Sequence, residues 1–279
     1  MGQTFVRSER GGEVVRGAPV PLEEIGSWQP AARVILKPLI WFFWRVEAEG
    51  VENVPAEGPA ILCPNHRSFI DSLFLPACLD RPVTYVGKAE YLDSWKTRIL
   101  FPKLGMIPID RSGGRASEAA LEAAQRVLES GGLFGIYPEG TRSRDGKLHR
   151  GHTGAARLAL RTGAPLIPVG ILGTAEIQPP DSVWPRPFRT VRVRFGRPID
   201  VSKYRDRKDD RLVLRQITDE VMFEIKELTG FEYVDTYATR KPEAIPAREA
   251  QVGAPSGGVV RGGDELPRRS SAEVLTAGR

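Results

Sequence analysis

An α/β fold, with a largely parallel central sheet flanked by helices, is the class predicted by this chain of 279 residues. Two observations carry that prediction. Short apolar runs without polar alternation recur from residue 60 onward, as in strands buried on both faces. Between them fall stretches of helical periodicity, several closed by glycine, such as 117–129 before Gly131-Gly132. A hydrophobic fraction of 41% with 27% charged residues is ample for a real core in one domain with extensions, or in two small ones.

In chain order, residues 1–29 are rich in Gly, Glu and Arg without a sustained period, and read as a disordered arm. They also lack the apolar run of a signal peptide. Residues 30–46 read as an amphipathic helix lying in a membrane interface. A spanning helix needs roughly 20 apolar residues; this stretch is shorter and is interrupted by Lys37 and Pro38. Its Trp41, Phe42, Phe43 and Trp44, set between Lys37 and Arg45, suit an interfacial anchor, against the plainer reading of a core helix. The main domain is expected over 47–235, with strands at 60–63, 84–86, 106–109, 133–137, 165–171 and 191–195. Helices are expected near 68–79, 96–104, 117–129 and 153–161, with a last one over about 207–228. Residues 236–279, with much Pro, Gly, Ser and Arg, read as a disordered tail.

A net charge of +5 and a pI of 9.3 suggest an acidic partner without naming it. Arg142, Arg144, Lys147, Arg150, Arg157 and Arg161 share their stretch with Asp145 as its acid, and Arg186, Arg189, Arg192, Arg194 and Arg197 with none. Phosphorylated small molecules, anionic lipid and nucleic acid all fit that pattern, although no aromatic-interleaved basic strand supports base stacking. The two cysteines, Cys63 and Cys78, sit in apolar surroundings and read as buried thiols in a reducing compartment.

The chemistry concentrates in Asn65-His66-Arg67-Ser68-Phe69-Ile70-Asp71, directly after an apolar strand. Histidine takes a proton near neutral pH, and a carboxylate beside it fixes its tautomer and stabilises the imidazolium. On an unbroken helix residues five apart lie about 140° from each other, so His66 and Asp71 meet only if the backbone turns between them. Pro64-Asn65 supplies that turn, with Ser68 as the expected N-cap of the next helix. Other segments end strands in the same way: Val86-Gly87-Lys88, Gly105-Met106-Ile107-Pro108-Ile109-Asp110-Arg111 and Tyr137-Pro138-Glu139-Gly140-Thr141-Arg142-Ser143. Ligands of open α/β sheets bind outside the carboxyl ends of the strands, so His66, Lys88, Arg111, Glu139 and Arg142 should gather at one rim. Arginine presents a planar fork to phosphate, Gly140 allows close backbone approach, and Glu139 can accept a hydroxyl or hold an arginine. His149 and His152 are spaced i, i+3 without an accompanying acid or cysteine, so no metal is expected.

The segments NHRSFID, GMIPIDR, YPEGTRS and APLIPV, in that order and spacing, resemble the glycerolipid acyltransferase family over roughly residues 41–200. The likeness is greatest to bacterial 1-acyl-sn-glycerol-3-phosphate acyltransferases. It implies His66 as general base, Asp71 as its partner, and Arg111, Glu139, Gly140, Thr141 and Arg142 as binders of the glycerol phosphate, with Pro168 shaping the pocket. It also implies acyl-CoA or acyl-carrier-protein as donor, lysophosphatidic acid or a related lysolipid as acceptor, and no cofactor. Two departures are Tyr137 and Pro108, where the family usually has Phe. The enzyme so implied acts on the cytoplasmic face of the membrane, bound peripherally to an anionic surface. Donors for the oxyanion are left open between Lys88 and backbone amides at the start of the Ser68 helix. Two other readings stand beside this one: the same chemistry on another acceptor, such as glycerol 3-phosphate or a glycolipid, and a non-catalytic binder of anionic lipid or nucleic acid.

Overall fold

The apolar run after Pro59 becomes the central strand of a sheet, with five consecutive residues buried. The computed structural model describes residues 4–7, 14–17, 26–88, 100–109, 116–179, 182 and 184–239. The first elements are β1 (Thr4–Arg7), β2 (Val14–Gly17), α1 (Gln29–Phe43), β3 (Arg45–Glu49), β4 (Ala60–Pro64), α2 (Asp71–Ala77), β5 (Val83–Lys88) and β6 (Met106–Ile109). Next come α3 (Ala116–Glu129), β7 (Leu133–Gly135), β8 (Leu148–His149), α4 (Gly154–Thr162) and β9 (Leu166–Leu172). The last are α5 (Thr174–Ile177), β10 (Thr190–Phe195), α6 (Arg211–Thr229) and β11 (Tyr233–Val234).

Seven strands form the main sheet in the order β3-β10-β9-β4-β7-β5-β6. The five from β9 to β6 run parallel, while β10 is antiparallel to β9 and parallel to β3. Strand β4 shows how the layers arise. Ile61 and Cys63 join the core beneath α3, α4 and α6, whereas Ala60 and Leu62 join the core beneath α1 and α2. Both faces are therefore covered, which is why the sequence shows no polar alternation there. Fully buried Phe74 and Phe134 contribute roughly 1.5–3 kcal/mol each relative to exposure. Asp210 opens α6 by accepting from the Leu212 and Val213 N–H groups, and Gly230 closes it at φ 70°.

Several boundaries differ from expectation. The helix expected through residue 46 ends at Phe43, because Arg45–Glu49 pairs with β10 as an edge strand. Its polar sequence hides it, since Glu47 and Glu49 face arginines of the neighbouring strand rather than a core. Helix α2 begins at Asp71 with Ile70 as its N-cap, so Ser68 is not the cap; the Ser68 hydroxyl donates to the Gln178 carbonyl at 2.9 Å. Within residues 1–29, β1 and β2 pair antiparallel, and Gln29 is buried. Of the helix expected at 96–104, residues 100–103 are helical and 96–99 lie outside the described residues. Of the tail expected from residue 236, the Thr236 carbonyl accepts from the Arg150 N–H at 3.0 Å and Tyr237 stacks on His152, whereas residues 240–279 lie outside the described residues.

Candidate active site

His66 is gripped from four directions, by Asp71 of its own segment and by Tyr137, Glu139 and Ser143 of the segment that follows β7. Its Nδ1 lies 2.9 Å from Asp71 Oδ2. That same oxygen accepts from the Arg67 and Ser68 backbone N–H groups, both at 2.8 Å. The chain thus wraps around the Asp71 carboxylate, which is fully buried, and the five-residue spacing is bridged by a turn rather than by a helical face. An ionised carboxylate only accepts, so Nδ1 carries the proton and Nε2 keeps its lone pair toward the cavity that His66 lines. The His66 backbone N–H donates to Glu139 Oε1 at 3.0 Å, and its carbonyl accepts from Ser143 N–H at 2.8 Å. Across the ring face, Tyr137 stacks at 3.8 Å between centroids, and its hydroxyl pairs with Ser72 Oγ at 2.6 Å.

Asn65 prepares this arrangement. Its side chain is buried, donates to the Ile171 carbonyl at 3.0 Å and accepts from the Ile171 N–H at 2.7 Å. The amide imitates a strand partner, extending the β4–β9 pairing one step so that His66 leaves the sheet at a defined point. Asn65, Ser72 and Ser143 were not among the residues expected at the site. Asn65 and Ser72 lie within or beside the His–Asp segment and Ser143 within the Glu-Gly-Thr-Arg segment, but long-range partners leave no periodic signal.

The carboxylate of Glu139 does not face the cavity as a ligand contact. It is 1% exposed, and its second oxygen accepts from His149 N–H at 3.0 Å. Burial pushes its pKa up to about 7, against the two backbone donors that favour the charged form. Gly140 turns the chain at φ 71°, and a Cβ there would meet the His152 ring at 3.0 Å, so the turn and its packing both require glycine. Gly140, Thr141 and Arg142 all line the cavity. Arg142 is half-buried and forms no ion pair among the described residues. Pro168 does not line the cavity: it is a buried β9 residue opposite Cys63, and its carbonyl accepts from Gly196 N–H at 2.8 Å. Lys88 ends β5 at the expected rim, but its side chain lies outside the described residues, as does all of Arg111.

The cavity has a volume of about 1150 Å³. Leu36 and Ile40 of α1, Leu73 of α2 and Met106 of β6 give it apolar walls, and α1 adds Arg33 and Lys37. The walls are basic where the loop after β7 and α4 contribute, through Arg142, Arg144 and Arg157. Arg157 belongs to the basic stretch 142–161, and only the fold brings it to the cavity. Several other members of this stretch and of 186–197 are balanced by acids from remote sequence: Lys147 pairs with Glu232 at 2.7 Å, Arg161 with Glu118 at 2.7 Å, and Arg192 with Glu47 at 2.7 Å. Of the amides at the start of the Ser68 segment expected as oxyanion donors, that of Ser68 is taken by Asp71, as is that of Arg67 before it. Cys63 points into the core, where burial pushes its thiol far above the ordinary range, and burial holds Cys78 up at about 12. Neither is a ready nucleophile. His149 turns to Asp145 at 3.0 Å while His152 stacks on Tyr237 at 4.5 Å, so the i, i+3 pair takes different partners.

Comparison with known proteins gives the same picture over much of the chain. Residues 45–172 match the Acyltransferase family model. The chain is 30% identical over 165 residues to a chloroplastic 1-acyl-sn-glycerol-3-phosphate acyltransferase of Arabidopsis thaliana, covering 59% of this chain and 46% of that protein. It is 29% identical over 143 residues to the 1-acyl-sn-glycerol-3-phosphate acyltransferase of Borreliella burgdorferi, covering 51% and 57%. The chain thus spans about half the length of these curated relatives. The crystal structure of the 1-acyl-sn-glycerophosphate acyltransferase PlsC from Thermotoga maritima shares the fold with a TM-score of 0.53 and 25% identity, over 72% of this chain and 82% of that one. The motif order and these likenesses converge on residues 45–172, the part of the chain that matches the Acyltransferase family model.

Proposed function

We propose that the protein is a membrane-surface O-acyltransferase, with residues 47–235 as its catalytic unit. It moves a fatty acyl group from a thioester donor, acyl-CoA or acyl-carrier-protein, to the free hydroxyl of 1-acylglycerol 3-phosphate, yielding phosphatidic acid. The observation that carries this reading is the His66–Asp71 pair, at 2.9 Å, opening into a cavity with apolar walls on one part and arginines on another. His66 Nε2 takes the proton of the acceptor hydroxyl as that oxygen attacks the thioester carbonyl. Asp71 stabilises the imidazolium, and the carbon–sulfur bond breaks as the proton passes to the departing thiolate. No acyl-enzyme intervenes, since neither thiol sits beside a base. Arg142 and Arg111 read the acceptor phosphate, and Glu139 acts through His66 by fixing its backbone. Among the described residues no helix is long and apolar enough to cross a membrane. Helix α1 instead presents Val34, Ile35, Trp41 and Phe42 to the outside, each more than half exposed, which supports peripheral docking.

The test is release of free thiol from acyl-CoA by the purified chain, with and without 1-acylglycerol 3-phosphate. Acceptor-dependent release that disappears in folded His66→Ala is the expected result. Release that survives that substitution, or that no glycerol phosphate stimulates, defeats the reading.

A further inference from the structure

Trp184 and Phe188 are the two most exposed of the large aromatic side chains among the described residues, at 81% and 74%. Phe188 is also the one described non-glycine residue in the left-handed region, at φ 58°. A bulky residue held there is strained, and here the strain buries nothing. The loop is nevertheless firmly attached. Phe188 N–H donates to the Phe43 carbonyl at 2.6 Å, Trp44 Nε1–H to the Arg186 carbonyl at 2.8 Å, and Arg45 N–H to the Arg189 carbonyl at 3.0 Å. Phe188 and Phe43 rings lie 6.4 Å apart, and Phe43 in turn meets Phe42 edge-on at 5.2 Å. The loop is thereby stapled to the end of α1 that carries Trp41 and Phe42.

Two further features separate an interfacial segment from a merely exposed one. In Trp184-Pro185-Arg186-Pro187-Phe188-Arg189 the two prolines have no N–H, and those of Arg186 and Phe188 are bonded to the Ile177 and Phe43 carbonyls. Leaving water therefore strands few backbone donors, which is the main cost of placing a loop among lipids. Arg186 and Arg189 form no ion pair among the described residues, whereas Arg192 and Arg194 just beyond are paired with Glu47 and Glu49. The unpaired cations stand where aromatic side chains project, the composition of a segment seated between headgroups and acyl chains.

We propose that residues 184–189 are a second docking point, whose partner is a bilayer surface containing anionic lipid. Trp184 and Phe188 enter the acyl boundary and Arg186 and Arg189 meet lipid phosphates. With α1 as the first point, two contacts fix how the cavity lined by α1 addresses the membrane. This inference rests on the membrane-surface reading above.

The full chain is sedimented with phosphatidylcholine vesicles and with vesicles also containing phosphatidylglycerol. Trp184→Ser with Phe188→Gly, where glycine relaxes the left-handed position, should weaken partition at least about tenfold on both. Arg186→Gln with Arg189→Gln should abolish the preference for anionic vesicles and leave the remainder. Both variants should keep thiol release with a short-chain, water-soluble acceptor within about twofold. Unchanged sedimentation of the aromatic variant, while Trp41→Ser with Phe42→Ser loses binding, overturns the loop proposal and leaves the membrane reading standing. Absence of vesicle binding by the unmodified chain removes both.

Discussion

At the scale of single residues the site is organised around keeping one imidazole in one pose. Replacing Asp71 by Asn removes the charge that stabilises the imidazolium and puts an amide among three N–H donors. Turnover should fall roughly 10²- to 10⁴-fold, with a circular dichroism spectrum like that of the parent, and near-normal turnover would sink the base assignment. Arg142→Ala should weaken acceptor affinity about ten- to a hundredfold, because charge-assisted bonds are worth roughly 1.5–3 kcal/mol. Equal loss for the acyl donor, measured by paired titrations, would contradict a phosphate role. Glu139 couples the site to pH. Its folded pKa of about 7 lies above the unfolded value of 4.5, so its protonated form is favoured by folding. Stability tied to it is complete below about pH 4.5 and declines by roughly 3 kcal/mol as pH rises to about 7. Chemical denaturation at pH 5 and pH 7.5 should show that decline, and Glu139→Gln, which does not titrate, should flatten it.

At the scale of elements, α1 is tied to the sheet by one side chain at its start. Gln29 Nε2 donates to the Val83 carbonyl at 2.7 Å and the Leu104 carbonyl at 2.9 Å, while Oε1 accepts from Val83 N–H at 2.9 Å. Gly105 leaves the room for it, since a Cβ there would overlap Gln29 Nε2 at 2.0 Å. Gln29→Ala leaves these buried backbone groups without partners and should cost roughly 2–4 kcal/mol by urea denaturation. Because α1 lines the apolar part of the cavity, the same variant should lose discrimination between short and long acyl chains in competition assays. A stability change below about 0.5 kcal/mol would mean that the helix is held by its apolar contacts alone.

Over the whole molecule, charge and exposed apolar surface act together. The net charge of +5 understates the contrast between paired and unpaired cations, because remote acids neutralise many of the arginines that cluster in sequence. Each basic side chain near an anionic surface contributes on the order of 1 kcal/mol, and salt weakens it. Vesicle association should therefore fall several-fold between low salt and about 0.5 M salt, yet not vanish, since Trp41 and Phe42 remain. Complete release by salt would assign the binding to charge alone and deny the aromatic side chains a part.

The sequence by itself determined the α/β class, the order and approximate limits of the central strands, and, of the five residues expected at one rim, the meeting of His66 and Arg142 there. Apolar runs report burial on both sheet faces, and in a parallel sheet every strand end points to the same rim, so local pattern carries those conclusions. Only the tertiary structure decided that Glu139 holds backbone amides, that Pro168 stays inside β9, that Asn65 and Tyr137 position the imidazole, and that β3 pairs with β10. Apart from the His149 amide, ten residues from Glu139, each of these depends on a partner between about 70 and 145 residues away in the chain, such as His66 with Glu139 or Glu47 with Arg192. A buried carboxylate and a ligand-binding one have the same one-letter code, and what separates them is which donors the fold brings within 3 Å.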